Sequence, residues 1–311
     1  MNNINLVTGG AGFIGSHLIC KLLDMKEKVI CIDDLSSGNF KNIEKFLEDN
    51  NFYFHNQDIT KPFHFKVNKI WHFACLASPK AFTKESIKTI NTCYLGSLNT
   101  LELARKCKAS ILLASSSEVY GNANFHPQTE DYYGNVNNFG ERACYAEGKR
   151  ISETLFYEYR KNYNINIKIS RIFNTYGPRL NPYDGRVIPK FIRKIYENKP
   201  LPIYGNGNQT RSFCYINDLI DALLLQMDSD FNNPINLGNS QEISIINLAN
   251  IISNLMQKDI SFEFLEKKAD EPMFRNPSLK LAKSILNWQP KISLRDGLSQ
   301  TINYFSKNRF K

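Results

Sequence analysis

The sequence predicts an α/β protein built on a doubly wound parallel sheet, with a smaller C-terminal α/β lobe. Two observations predict this class. In the first half of the chain, short β-like runs alternate with segments whose apolar residues recur at helical spacing, which is the pattern of βαβ units. Beyond about residue 174 the chain is rich in Gly, Pro, Asn and Tyr, a composition typical of loops over a ligand cleft.

Short apolar and β-branched runs predict the strands, because strands covered by helices on both faces of a sheet are apolar throughout. In chain order these runs lie at 6–8, 29–32, 52–55, 70–73, 111–114, 167–172 and 235–237. Apolar residues three and four positions apart predict helices instead. These segments lie at 14–23, 90–106, 145–159, 217–227 and 245–256.

The composition of the chain is that of a globular protein. Of its 311 residues, 42% are hydrophobic and 22% are charged. No apolar run approaches the ~18 residues that span a bilayer. A strand-like segment at 4–7 leaves no room for a secretion signal. We therefore expect a cytoplasmic protein with no membrane partner.

Cysteine spacing and charge exclude further classes. The seven cysteines include no C-x-x-C pair, which favours reduced thiols over a disulfide framework or a metal site. The net charge is +9, but no basic run of five or more occurs, so we expect no nucleic-acid partner. The excess charge indicates a solvated surface with a mild preference for anionic small molecules.

A glycine-rich loop at 8–15 fits both G-x-G-x-x-G and G-x-x-G-x-x-G. A predicted strand precedes it and a predicted helix follows, and Asp33 closes the second strand 21 residues after Gly12. In this context the loop predicts a pyrophosphate site on a Rossmann-type sheet, rather than an ordinary turn. Asp33 would accept hydrogen bonds from a ribose hydroxyl and repel a 2′-phosphate, and no arginine lies at 34–40. NAD is therefore favoured over NADP.

Further segments are candidates to complete the cofactor pocket. An acid at Asp58 follows the third strand, where it could reach an adenine amino group or simply close a turn. Residues 76–78 follow the strand at 70–73, at the edge of the sheet where ligands gather. The predicted cofactor contacts are Gly9, Gly12, Phe13, Ile14, Gly15, Asp33, Asp34, Ser36, Ser37, Gly38, Asp58, Ile59, Leu76, Ala77, Ser78, Thr92, Tyr145 and Lys149.

Tyr145 and Lys149 are spaced i,i+4, so a helix places them on one face. An ammonium group and a nicotinamide cation would both lower the pKa of the phenol from about 10. Such a tyrosine can take a proton from a sugar hydroxyl while NAD takes the hydride. The serine run at 115–117 ends a predicted strand nearby and could bond the same hydroxyl, and from it we include Ser117 in the catalytic set. The alternative is a surface pair on a helix.

The glycine loop, the serine run and the Tyr145/Lys149 pair resemble the extended short-chain dehydrogenase/reductases that act on nucleotide sugars. Within that superfamily the chain most resembles the UDP-glucuronate decarboxylases, also called UDP-xylose synthases. The likeness runs nearly end to end. The segments that carry it are 113–121, 126–132, 142–150, 171–179, 184–187 and 209–215.

The resemblance implies a cycle in which the sugar is oxidised at C4, the 4-keto acid loses CO₂, and the ketone is reduced again to give UDP-xylose. Glu118 and Arg275 match family positions that act at the carboxylate and at C5, and the sequence leaves open which does which. Ser117 stands where the related 4,6-dehydratases carry an acid, and the 4-epimerases usually lack Glu118. An NAD-dependent 4-epimerase or 4,6-dehydratase remains the alternative, and a non-catalytic NAD-binding regulator is a third.

The same resemblance implies the substrate contacts and the organisation of the chain. The implied contacts to the UDP-sugar are Glu118, Asn174, Arg186, Lys190, Tyr204, Arg211 and Arg275. Residues 1–173 would form the NAD-binding domain. Residues 174–311 would form mainly the nucleotide-sugar-binding lobe, with some elements returning to the first domain. A homodimer through the helices at 90–106 and 145–159 is expected.

Overall fold

A computed structural model describes residues 3–266 and 275–308. Its strands are β1 (Ile4–Thr8), β2 (Lys28–Asp33), β3 (Phe52–Asn56), β4 (Lys69–His72), β5 (Ser110–Ser116), β6 (Ile167–Ile172), β7 (Thr175–Tyr176), β8 (Leu201–Tyr204), β9 (Thr210–Ser212), β10 (Cys214–Tyr215), β11 (Pro234–Leu237), β12 (Glu242–Ser244) and β13 (Phe262–Leu265). Its helices are α1 (Phe13–Asp24), α2 (Pro79–Lys84), α3 (Ser86–Asn91), α4 (Ser97–Cys107), α5 (Ala143–Tyr163), α6 (Val187–Tyr196), α7 (Ile216–Met227), α8 (Ile245–Met256), α9 (Lys280–Leu286) and α10 (Leu294–Asn308).

The central sheet has seven parallel strands in the order β11-β6-β5-β4-β1-β2-β3. The order runs outward in both directions from β1 and β4, so helices cover both faces and the sheet is doubly wound. The interior strands are apolar on both faces, as in Leu112 and Leu113 of β5, which are both almost fully buried. The predicted fold class is confirmed.

Two hydrophobic clusters cover the two faces of the sheet. The larger one joins α1, α6, α7 and α8 to the sheet and continues into the C-terminal part of the chain. The smaller one lies under α4 and α5 on the opposite face. The strands are parallel, so their carboxyl ends lie together at one edge of the sheet, between the two helical layers. A ligand site is expected at this edge.

The second half of the chain contains more regular structure than its composition suggested. We expected loops at 174–209, but α6 and β8 lie within that stretch. The apolar side chains of α6, including Ile188, Phe191 and Ile192, recur at helical spacing and are buried. β11, from the second half of the chain, pairs with β6 at the edge of the central sheet.

The helix predicted at 90–106 is interrupted. α3 ends at Asn91, a π-helical turn spans Thr92–Gly96, and α4 continues from Ser97. A turn of this kind adds one residue to the helix and changes the direction of its side chains, and it is often found at functional sites. Within residues 3–266 and 275–308, every helix is too short or too polar to cross a bilayer.

Candidate active site

One cavity of about 940 Å³ opens at the carboxyl ends of β1, β4, β5 and β6. This volume lies at the upper end of the range for small-molecule sites. The cavity is lined by the residues singled out from the sequence, namely Gly9, Gly12, Phe13, Ile14, Gly15, Asp33, Asp34, Ser36, Ser37, Gly38, Asp58, Ile59, Leu76, Ala77, Ser78, Thr92, Ser117, Glu118, Tyr145, Lys149, Asn174, Arg186, Lys190, Tyr204, Arg211 and Arg275. Segments far apart in the sequence thus meet in one space.

The glycine loop forms the turn between β1 and α1. Gly9 has a φ of +70°, and a Cβ added there would lie 2.7 Å from the Ala74 nitrogen, so a side chain is excluded by both conformation and space. A Cβ on Gly15 would lie 2.4 Å from the Gly9 oxygen. The first turn of α1 has no side-chain cap, which leaves its N–H groups directed at the cavity. This end of the helix suits an anionic group.

Asp33 lies at the end of β2 beside this loop. Its two carboxyl oxygens accept the backbone N–H groups of Ala11 and Leu35, both at 2.9 Å. Burial raises the pKa of Asp33, and these two hydrogen bonds partly oppose that shift. A Cβ on Gly38 would lie 2.7 Å from the nearer carboxyl oxygen. The carboxyl group is therefore fixed in position, and each oxygen retains a lone pair for a ribose hydroxyl.

The neighbouring polar residues are also held in place. Asp34 pairs with Lys88 at 2.7 Å and accepts the Ser36 hydroxyl at 2.6 Å. Thr92 donates to the Lys88 carbonyl at 2.7 Å. One oxygen of Asp58 accepts the N–H of Thr60 at 2.9 Å, which closes a turn. Asp58 also borders the cavity.

Tyr145 lies in the first turn of α5, and Lys149 follows one turn later. The Lys149 ammonium is 5.8 Å from the centre of the Tyr145 ring and donates to the Ala114 carbonyl at 2.7 Å. The ring of Phe82 stacks on the Tyr145 ring, with centroids 5.1 Å apart and planes 7° from parallel. The phenol is therefore fixed between α2, α5 and the end of β5.

The pKa of Tyr145 differs from the sequence-based expectation. Burial raises it to about 12, although the Lys149 ammonium and the Ser116 hydroxyl both act to lower it. The expected effect of Lys149 is thus present but outweighed by the loss of solvation. Burial acts to lower the pKa of Lys149, but the thiols of Cys75 and Cys93 and the phenol outweigh it, so the pKa lies well above its usual value. The ammonium is therefore charged at neutral pH.

The three serines at the end of β5 have three different roles. Ser115 donates to Glu153 of α5 at 2.5 Å. The Ser116 hydroxyl acts to lower the pKa of Tyr145 and accepts the N–H of Glu118 at 3.2 Å. Ser117 begins the 3₁₀ turn that follows and is buried at the cavity wall. The serine that acts on the Tyr145 phenol is therefore Ser116, and Ser117 lies in the turn after the strand.

Glu118 is a buried carboxylate between two arginines. Its Oε1 atom pairs with Arg275 at 2.5 Å and with Arg142. Burial acts to raise the pKa of Glu118, but Arg275 and Arg142 outweigh it and hold the pKa at about 2. The group is therefore ionised at neutral pH. Arg142 also lies over the Phe82 ring, 5.4 Å from its centre, which connects the two arginines to the Tyr145 stack.

Gln128, from a loop distant in sequence, holds the segment that carries Arg275. Its side chain accepts the N–H of Asn276 at 2.8 Å, and its backbone bonds Asn276 and Ser278 at 2.9 and 2.7 Å. Gln128 is only 1% exposed. Since Arg275 adjoins Asn276, these bonds fix the chain beside Glu118.

The remaining candidates line the other arm of the cavity. Asn174 donates to the Ser212 carbonyl at 3.3 Å. Arg211 is buried and donates to the Thr210 carbonyl at 2.8 Å. The Lys190 ammonium is 5.8 Å from the centre of the Tyr204 ring, and Arg186 donates to the Ala77 carbonyl at 3.3 Å. Several cations and the Tyr204 ring therefore line an arm that suits a phosphorylated aromatic ligand.

Sequence reasoning missed several residues that line the same cavity. These are Phe82, Ser116, Arg142 and Arg179. Arg142 lay within a segment that carried the family resemblance, yet its pairing with Glu118 depends on the fold of the loop before α5. Arg179, which donates to the Ser16 carbonyl at 2.9 Å, likewise gave no signal by spacing. Ser116 was within the serine run, but which of the three serines acts on Tyr145 depends on how the end of β5 meets α5.

The chain is similar to known proteins over nearly all of its length. The sequence matches the GDP-mannose 4,6 dehydratase family over residues 6–301. It is 43% identical over 302 residues to UDP-glucuronic acid decarboxylase 1 of Xenopus tropicalis, which is 97% of this chain and 72% of that protein. It is 45% identical over 294 residues to UDP-glucuronic acid decarboxylase 6 of Arabidopsis thaliana, which is 94% of this chain and 86% of that protein.

Among solved structures, the UDP-glucuronic acid 4-epimerase from Bacillus cereus in complex with UDP-glucuronic acid and NAD is similar throughout. The TM-score is 0.89 and the identity 28%, and the alignment covers 98% of this chain and 99% of the epimerase. The fold is thus shared with an epimerase, while the sequence is nearer to the decarboxylases.

Proposed function

The chain belongs to the GDP-mannose 4,6 dehydratase family, and from that premise we propose that it is an NAD-dependent UDP-glucuronate decarboxylase, a carboxy-lyase that produces UDP-xylose. The decarboxylases compared above share 43% and 45% of their aligned residues with it. One structural observation carries the assignment. Arg275 and the buried Glu118 are paired in the same cavity as Tyr145 and Lys149, so a cationic group lies within the redox site.

NAD fits the glycine-loop end of the cavity. The backbone is packed too closely at Gly9 and Gly15 for any side chain, and the tight turn that results leads to the uncapped N-terminus of α1, which suits a pyrophosphate. Asp33 lies where it would bond a ribose hydroxyl, and Asp58 and Ser78 border the rest of the pocket. When bound, NAD takes a hydride from the sugar and returns it at the end of the cycle.

Tyr145 is the proposed base for the C4 hydroxyl of the sugar. Lys149 and the Ser116 hydroxyl both stabilise the phenolate form, and a positively charged ring in the cofactor pocket would add to their effect. The proton passes from the sugar hydroxyl to the Tyr145 oxygen and returns by the same route when the ketone is reduced. Ser116, rather than Ser117, is the serine proposed to bond that hydroxyl.

The arginine pair is the proposed site of the substrate carboxylate. A guanidinium group binds a carboxylate through two parallel hydrogen bonds, and Arg275 and Arg142 converge on one oxygen of Glu118. Once C4 is a ketone, the C6 carboxylate is β to it, and CO₂ leaves with its electrons delocalised into an enolate. The pKa of Glu118 at about 2 favours a role in holding the arginines over one as a proton donor.

The other arm of the cavity is the proposed site of UDP. Asn174, Arg186, Lys190 and Arg211 would bind the diphosphate, and the Tyr204 ring would lie against the uracil. Residues 1–173 and 174–311 would then correspond to the NAD-binding domain and to a lobe that mainly binds the nucleotide sugar.

Product analysis tests the proposal. Purified protein with NAD and UDP-glucuronate labelled at C6 should release the label as CO₂ and leave a UDP-pentose. Tyr145→Phe should stop release, while Tyr157→Phe, on an exposed ring of the same helix, should not. A product of unchanged mass would instead identify a 4-epimerase, the second candidate, which the similarity to the Bacillus cereus epimerase favours.

We also propose a homodimer through α3, α4 and α5. Large apolar side chains on these segments are exposed, among them Ile87, Ile90, Tyr94 and Tyr157, at 70%, 42%, 43% and 55%. A second copy of the chain would cover them and recover their burial free energy. Light scattering should give the mass of a dimer, and Ile87→Glu should shift it toward the monomer.

The state of the cysteines supports a proposed cytoplasmic location. All seven are free thiols, which is typical of proteins in reducing compartments. Fractionation of cells that produce the protein tests this assignment.

A further inference from the structure

Two cysteines from distant parts of the chain meet beneath the catalytic pair. The Sγ atoms of Cys75 and Cys93 are 3.3 Å apart and are hydrogen-bonded to each other. Cys75 follows β4, and Cys93 lies in the π-helical turn between α3 and α4. The mechanism proposed above uses neither thiol.

The two thiols differ in access. Cys75 is partly exposed and lines the cavity, whereas Cys93 is only 2% exposed. The Cys93 sulfur lies against α5, since a Cβ on Gly148 would be 2.9 Å from it. A small reagent in the cavity therefore reaches Cys75 first, with Cys93 directly behind it.

The thiols also differ in chemistry. The hydrogen bond from Cys93 lowers the pKa of Cys75 to about 7, against burial and with help from the Lys149 ammonium. The same hydrogen bond and burial raise the pKa of Cys93. A thiolate that is accessible and has a protonated thiol beside it is the usual arrangement of an oxidation-sensitive pair. No third ligand joins them to hold a metal within the part of the chain that the structure describes.

We propose that Cys75 and Cys93 form a peroxide-reactive dithiol site whose oxidation to a disulfide reversibly inactivates the enzyme. The Cys75 thiolate attacks one oxygen of hydrogen peroxide and the O–O bond breaks. The departing hydroxide takes a proton and leaves as water, and Cys75 becomes a sulfenic acid. The Cys93 sulfur then attacks the Cys75 sulfur, the S–O bond breaks, and a second water leaves with the Cys93 proton. The two sulfurs lose two electrons in total, and the peroxide gains them.

Oxidation would alter both the cofactor pocket and the lysine. A disulfide bond is about 2.0 Å long, so the two sulfurs must approach by about 1 Å from 3.3 Å. Cys75 directly precedes Leu76, Ala77 and Ser78 at the cofactor wall, and Cys93 contacts α5 next to Lys149. Shifts of this size in a catalytic site reduce turnover by on the order of 10²-fold.

Titration with hydrogen peroxide tests the site without requiring a substrate. We expect the intact mass to fall by two hydrogen atoms, and a digested sample to yield a peptide pair joined through Cys75 and Cys93. Activity on UDP-glucuronate should fall on the order of 10²-fold and return with dithiothreitol. Saturating NAD should slow the oxidation, because it would cover the cavity wall around Cys75. The mass readout does not depend on the proposed function. Failure of the disulfide to form would therefore leave the decarboxylase assignment intact, and the disulfide could form even if that assignment were wrong.

Cys93→Ala is the decisive variant, and Cys107→Ala is its control. With Cys93→Ala, Cys75 should stop at the sulfenic acid, which dimedone traps, and no disulfide should form. Cys107→Ala, whose thiol donates to the Phe65 carbonyl elsewhere, should oxidise like the parent. Each activity is compared with that of the same variant when reduced. A disulfide mapped to Cys144, no disulfide at all, or a disulfide that leaves activity unchanged would overturn the proposal.

Discussion

The hydroxyl of Ser116 acts on both the Tyr145 phenol and the turn that carries Glu118. It acts to lower the pKa of the phenol and accepts the Glu118 N–H at 3.2 Å. The base and the carboxylate that faces the arginines are therefore both influenced by one side chain at the end of β5. A small shift of this serine would affect both halves of the proposed reaction.

Ser116→Ala should reduce activity more than Ser117→Ala. The Ser116 hydroxyl acts to lower the pKa of Tyr145, whereas Ser117 begins the turn that follows β5. A hydrogen bond from Ser116 to the charged phenolate is worth about 1.5–3 kcal/mol, so kcat/KM should fall about ten-fold or more. In a plot of kcat/KM against pH, the rising limb gives the pKa of the catalytic base. This limb should move to higher pH in Ser116→Ala and stay in place in Ser117→Ala. Equal profiles for both variants would remove Ser116 from the mechanism.

Tyr145→Phe should lower kcat by on the order of 10²-fold or more, the usual share of a positioned acid–base group. The stacking on Phe82 does not need the hydroxyl, so the variant should still fold and bind NAD. Turnover is followed by CO₂ release and NAD binding by calorimetry. Full activity in this variant would require another base at C4.

Gln128→Ala should impair the reaction through Arg275. The change leaves the buried N–H of Asn276 without its acceptor, which costs about 1–3 kcal/mol of stability, and loosens the segment next to Glu118. KM for UDP-glucuronate should rise, with little change in the affinity for NAD, which binds at the other end of the cavity.

A double-mutant cycle separates this effect from general destabilisation. Arg275→Ala and Gln128→Ala should be strongly non-additive in kcat/KM, because both act on the same contact. If the two losses simply add, Gln128 has no role in positioning Arg275.

The sequence predicted the fold correctly for strands that helices cover on both faces of the sheet. β5 contains the apolar run 111–114, and β6 has isoleucines at 167, 169 and 172, so both indicated buried strands without any tertiary information. α6 was missed because Pro189 and the Gly- and Asn-rich residues around it resemble a loop, although Ile188, Phe191 and Ile192 are buried at helical spacing. Local composition outweighed periodicity in that prediction.

The candidate site could be predicted only in part from the sequence. The residues taken from motifs all line one cavity, since motifs report local backbone geometry. The Glu118–Arg142 pair and the two thiols below Tyr145 depend on loops that meet through the fold, and neither spacing nor composition encodes such meetings. The pKa of Tyr145 could not be predicted either, because the expectation included the charge of Lys149 but not the loss of solvation.

NAD should bind on the order of 10²-fold more tightly than NADP, because a 2′-phosphate would face the Asp33 carboxyl group and like charges at close range cost several kcal/mol. Asp33→Asn should reduce the ratio of the NADP and NAD dissociation constants, mainly by weakening the binding of NAD. An amide has one acceptor oxygen, so it cannot accept both the Ala11 and the Leu35 N–H groups. Calorimetric titration of protein freed of dinucleotide measures both constants. Equal affinity in the parent protein would remove Asp33 from cofactor selection.

The ion pairs of Glu118 should make folding stability depend on pH in the acid range. The pKa of its carboxyl group falls from the usual 4.5 to about 2 in the folded protein. A shift of this size corresponds to about 3 kcal/mol of stability at neutral pH. Because the folded pKa is the lower one, this contribution is complete above about pH 4.5 and decreases as the pH falls toward 2.

Glu118→Gln should therefore be much less stable than the parent at pH 7 and more nearly equal to it at low pH. The variant leaves the partly buried Arg142 and Arg275 without their shared counter-charge, which adds to the loss. Urea unfolding of both proteins at pH 7 and at about pH 3 should show the difference in unfolding free energy shrink by about 2 kcal/mol. Glu242→Gln, at an exposed pair with His126, is the matched control and should show a much smaller change. A difference that is independent of pH would mean that Glu118 is not held ionised by the two arginines.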